Sequence, residues 1–125
     1  MEVTDTVSIS STGSLTGKSY IGTFKVKTIL SRRDHFAADE QRRIILGANC
    51  QAALEPLKQE AFMLGQLSVR ILESPDWWKA AGLGLELEDP NIIEEIFQAA
   101  VAAGTKAKAE IKKEAAEALA RLNKE

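Results

Sequence analysis

An α+β fold, mainly α, is what the chain predicts, on three observations. Its first thirty residues alternate apolar and polar side chains with period two. From Ser31 onward the apolar residues recur instead at helical spacings of three and four. Proline, glycine and serine punctuate the change and separate the helical stretches. The architecture expected is an N-terminal β arm or hairpin packed on a small helical core, with a projecting C-terminal helix. A length of 125 residues is one domain's worth of chain and can bury a true core.

Taken in order, Val3, Val7 and Ile9 share one parity, with Thr4, Thr6 and Ser8 on the other. Ser10-Ser11-Thr12-Gly13-Ser14 reads as a turn or flexible linker. Tyr20, Phe24, Val26 and Leu30 share a face in a second, better strand, with Thr23, Lys25 and Lys27 opposite. Two strands alone are marginal in water and need helices or another chain's strand beside them. The first run, Val3 to Ile9, is therefore expected to pair with or lie along a neighbouring protein.

Ser31 opens a helix, with Asp34 at the spacing of a capping box in an acidic variant. Phe36, Ala37, Ile44, Ile45 and Leu46 supply its apolar positions, over one helix or two short ones. Gly47 stands where a left-handed residue would end it. Pro56 fits the first turn of the next helix. There Leu57, Ala61, Leu64, Ser68 and Ile71 form a stripe that Phe62, Leu67, Val69 and Leu72 widen. This is the expected central core helix, stopped by Ser74-Pro75. Asp76 to Gly82 suggests one short helical turn, and the alternation of Leu83, Leu85 and Leu87 an extended segment. Asp89 is placed to cap the last helix, with Pro90 at its first position. Ile92, Ile93, Ile96, Phe97, Ala100 and Val101 are its buried face. Beyond Gly104 the stripe thins to Ala107, Ile111, Ala115, Ala118 and Leu122, the pattern of a helix leaving the domain. The divisions expected are an extended arm over 1–18, an α+β core over 19–104, and a charged Ala/Lys/Glu-rich helix over 105–125.

Charge narrows the partners. A net charge of −2 lacks the basic excess that phosphate binding requires, so nucleic acid is not expected as the main partner. Residues 48–103 carry three Lys/Arg against nine Asp/Glu, while both ends are mildly basic, a distribution suited to self-association or a basic protein partner. Arg32-Arg33 and Arg42-Arg43 are interleaved with Asp34, Asp39 and Glu40, so local neutralisation is expected there. No apolar run approaches the ~20 residues of a transmembrane helix. The polar, acidic residues Glu2, Thr4, Asp5 and Thr6 are unlike a secretory signal, and none is expected.

Catalytic signatures are missing from the sequence. It has no phosphate-binding glycine loop, no His-Glu-x-x-His and no paired-cysteine metal spacing. His35 is the single histidine and reads as exposed or capping. The lone Cys50 forms no internal disulfide, fits a reducing compartment, and reads as an inert thiol. Glu86, Glu88 and Asp89 lack the ligand periodicity of a calcium loop, and capping with solvation accounts for them. No enzyme activity, cofactor or metal is expected. Trp77 and Trp78 are adjacent and cannot both face one core without strain. One is expected to anchor beneath the central helix, and the other is either covered by a loop or open to a partner. The residues expected to bind partners are Val3, Val7, Ile9, Trp77, Trp78, Ile111 and Leu122.

The order Gly22-x-Phe24-x-Val26-Lys27, Leu30-Ser31-x-x-Asp34, Arg43, Leu46-Gly47, Arg70-Ile71, Pro75-x-Trp77-Trp78 and Leu87-x-Asp89-x-Asn91-Ile92 resembles a group of small tailed-bacteriophage morphogenesis proteins. It covers about residues 20–97 and includes no catalytic motif. The resemblance implies a structural or assembly protein of the virion, put together in the host cytoplasm. Capsid or tail proteins and copies of itself would be its partners. A tail-assembly chaperone absent from the finished particle, or a phage protein that binds a host factor, are the alternatives.

Overall fold

Nine-residue strands at the N-terminus satisfy each other's backbone. The structure, a computed structural model, describes residues 3–48 and 52–123. Strand β1 (Thr4–Thr12) pairs antiparallel with β2 (Ser19–Lys27) along its whole length, setting Val7 opposite Phe24 and Ile9 opposite Gly22. Alternation on β2 is as expected: Tyr20, Phe24 and Val26 are buried, while Thr23 and Lys25 are exposed. Val3 extends the ladder, its carbonyl accepting from the Thr28 amide at 2.8 Å and the Thr28 hydroxyl at 2.9 Å. The N-terminal segment is thus half of an internal hairpin. Of the expected arm or hairpin it is the hairpin that forms: β2 supplies the partner strand, so the described part of the extended arm expected over 1–18 is paired within the chain.

Ser31 and Asp34 form the reciprocal capping box, each side chain accepting from the other's backbone N–H. Helix α1 (Arg32–Leu46) then runs unbroken and ends at Gly47, whose φ of 81° lies in the left-handed region. Lys27 reaches Asp34 at 3.3 Å and ties β2 to this helix. Helix α2 (Glu55–Arg70) carries Pro56 in its first turn. It crosses α1 at a point of close approach, where a Cβ on Gly65 would come within 2.6 Å of the Ala38 carbonyl oxygen. The α2 stripe stops sooner than its periodicity suggests. Ile71–Glu73 leave the helix as a short strand, β3, which pairs antiparallel with β2 and completes a sheet of order β1-β2-β3.

Asp76–Ala80 make the short helix α3 that carries both tryptophans. The segment after it is not extended. Gly82, Leu83 and Gly84 take positive φ in succession, and Leu83 and Glu86 donate back to the carbonyls of Trp78 and Ala81. A tight coil results, leaving Leu83 and Leu85 exposed while Leu87 packs on the core. Helix α4 (Pro90–Asn123) is continuous through Gly104. Its first half packs on the sheet and on α2, burying Ile92, Ile93, Ile96, Ala100, Ala103 and Ala107. All of these but Ala107 join Phe24, Val26, Leu67 and Trp78 in one core. Cys50 lies outside the described residues. No helix is long and apolar enough to cross a membrane among the described residues.

Candidate interaction surface

Burial divides the expected partner-binding residues into two groups. Ile9 is 8% exposed and belongs to the core, and Val7 packs against it. Val3 uses its carbonyl to hold Thr28. None of the three is presented to a partner in the manner expected, because the inward parity of the hairpin is the parity they share. Trp78, 2% exposed, is the anchor beside α2, with its ring against Gly84 and the core. Trp77 is half-buried. Its indole N–H donates to the Ile21 carbonyl at 3.0 Å, and its ring meets Tyr20 and Phe24 edge-on at 5.2 and 5.8 Å. Both tryptophans therefore pack within the chain: Trp78 is the expected anchor, and Trp77, for which the sequence leaves a covered ring and a partner-facing ring both open, is half covered by Tyr20 and Phe24.

Ile111 and Leu122 remain available. They are 46% and 68% exposed, and every described residue from Lys108 to Asn123 is exposed. At a rise of 1.5 Å per residue, this free segment of α4 extends about 24 Å. Leu119 adds a third large apolar side chain to it.

A second exposed apolar group was not foreseen. Phe36 on α1 is 74% exposed and Ile44 is also exposed, so the helix shows solvent two large side chains counted above as apolar positions. Phe36 lies two residues, or about 200° of helix, from the buried Ala38, so a helical wheel separates them without any structure. With Glu40, Arg43 and Gly47 they rim a shallow depression. Between α1, α2 and α4 a second depression, about 500 Å³ in volume, is floored by Phe62 and Met63 and edged by Arg42, Lys58 and Glu94. Asp39 neutralises Arg42 and Arg43 at 3.1 Å each, as the interleaved charges predict.

The acidic cluster before α4 resolves into one structural carboxylate. Asp89 is fully buried and does not cap the helix with its side chain as expected. It accepts instead from the Leu15 and Thr16 amides at 2.8 and 2.9 Å, the Thr16 hydroxyl at 2.6 Å and the Tyr20 hydroxyl at 2.8 Å. Asn91 adds bonds to the Ser14 amide and the Thr12 carbonyl. The turn clamped in this way to the start of α4 is residues 13–18; Ser10, Ser11 and Thr12, expected as part of a turn or linker, belong to β1 instead. Thr16's hydroxyl, with the backbone amides, holds the Asp89 carboxyl down at about 2, and the hydrogen bond that Tyr20 donates to this carboxylate pushes its phenol up. Among the described residues no cluster of three His, Cys, Asp or Glu side chains is placed to hold a metal ion. No family model, curated protein or solved structure matches the chain.

Proposed function

We propose that this chain is a non-enzymatic assembly protein of a tailed-bacteriophage particle, working by binding capsid or tail proteins and copies of itself. One observation carries the binding role: a helical segment of α4 stands clear of the core with Ile111, Leu119 and Leu122 exposed along it. Such a segment adds little to the stability of the folded domain while exposing apolar surface, and partner contact is what would bury that surface. Exposed Phe36 and Ile44 on α1 offer a second contact area. The phage setting is supported by the residue resemblance over 20–97 alone. Residence in the virion is the form of the proposal, with the chaperone as its alternative.

Particles purified through a density gradient and probed for the chain test this reading. Retention in finished particles supports a resident component. Presence in assembly intermediates with absence from finished particles assigns a chaperone. Absence from both, with capture of a host protein instead, would overturn the assembly role.

A further inference from the structure

Ile111, Ala115, Ala118 and Leu122 follow one another at intervals of four, three and four, the spacing of a coiled-coil seam. All are exposed. Read in either direction the seam runs large, small, small, large. Two such helices laid antiparallel about a two-fold axis between Ala116 and Glu117 set Ile111 against Leu122 of the second copy and Ala115 against Ala118. The alanines let the axes approach closely at the centre, and the larger side chains close the ends.

Charge fixes the orientation. Glu114 and Arg121 occupy the same flank, each one residue before a seam position, and neither forms an ion pair within the described chain. They stand about 10.5 Å apart along their own helix, too far to pair with each other. In the antiparallel arrangement Glu114 of one copy faces Arg121 of the other, twice by symmetry. A parallel arrangement sets Glu114 against Leu119 and makes no charge pair. On the other flank the antiparallel pair lays the methylene stem of Lys112 over the exposed Leu119 of the second copy.

The geometry points to a second copy of this chain as the occupant of the free face of α4, held as an antiparallel two-fold helix pair with Glu114–Arg121 contacts across it. This rests on the reading of the segment as a binding element and names its partner. From Ile111 to Leu122 the contact runs only about 17 Å, below the size of a standard stable interface. The dimer is accordingly weak, weaker still at high salt, and strengthened wherever other contacts hold copies close together.

Sedimentation equilibrium of the full chain at low salt, over a wide concentration range, provides the test. A monomer–dimer equilibrium is expected. Glu114→Arg or Arg121→Glu alone should raise its Kd about tenfold, turning two attractions into two repulsions. The double variant Glu114→Arg/Arg121→Glu should return the Kd to that of the parent, which no effect confined to one chain would do. Circular dichroism checks that each variant keeps its helix. A monomer at every concentration, a Kd indifferent to the single reversals, or a double variant no better than the singles would overturn the proposal. A chain that stays monomeric yet is retained in particles would sink the dimer and leave the assembly role standing.

Discussion

A carboxylate buried between a hairpin turn and a helix start stays ionised only when hydrogen-bond donors offset its lost hydration, and Asp89 has four donors around it. Its depressed pKa has a definite consequence for stability. The folded value, about 2, lies below the ~3.9 of an unfolded aspartate. The contribution is therefore complete above about pH 4 and is lost as pH falls toward 2. Asp34, also lowered by its bond from the Ser31 amide, titrates in the same direction. Asp89→Asn should lower Tm at pH 7 and flatten the fall in Tm between pH 4 and 2, whereas Asp34→Asn should remove only part of that fall. A parent-like pH profile in Asp89→Asn would show that the clamp is not what acid disrupts. Core and surface separate just as sharply at single positions. Leu67→Ala should cost about 2–5 kcal/mol in urea unfolding. Phe36→Ala should stay within about 0.5 kcal/mol, since its ring is already in water.

Among the elements, the crossing of α1 on α2 depends on Gly65. Adding a methyl group there drives it into the Ala38 carbonyl, so Gly65→Ala should destabilise by about 1–3 kcal/mol despite alanine's better helix propensity. A neutral or stabilising result would mean that the two helices are farther apart. Residues whose roles are local were legible in the sequence. The Ser31–Asp34 box, the stop at Gly47 and the inward Tyr20, Phe24 and Val26 of β2 all follow from spacing within one element. Roles set across the chain were not. Ile71–Glu73 continues a helical stripe locally and becomes a strand only because Val26 lies beside it. Leu83 to Leu87 alternates like a strand, but the glycines on either side of Leu83 curl it into a coil. Asp89 stands where a helix cap belongs, yet its donors lie 73 and 74 positions earlier in the chain. The hairpin shows the same division. Its inward parity was readable in Val3, Val7 and Ile9, while whether another protein or β2 completed it was not.

At the scale of the whole molecule the chain divides into a core ending near Ala107 and an exposed helical segment beyond it, for which partner binding is the proposed role. Ala107 is the last buried residue of α4, so truncation after Lys108 should preserve the core and leave the cooperative melting transition within a few degrees of the parent's. The direct measurement is incorporation of that truncated chain into particles beside the full-length chain, with folding of both confirmed by their melting transitions. The expected result is a folded truncated chain that is lost from particles while the full chain is retained. A folded truncated chain incorporated as well as the full one would contradict it.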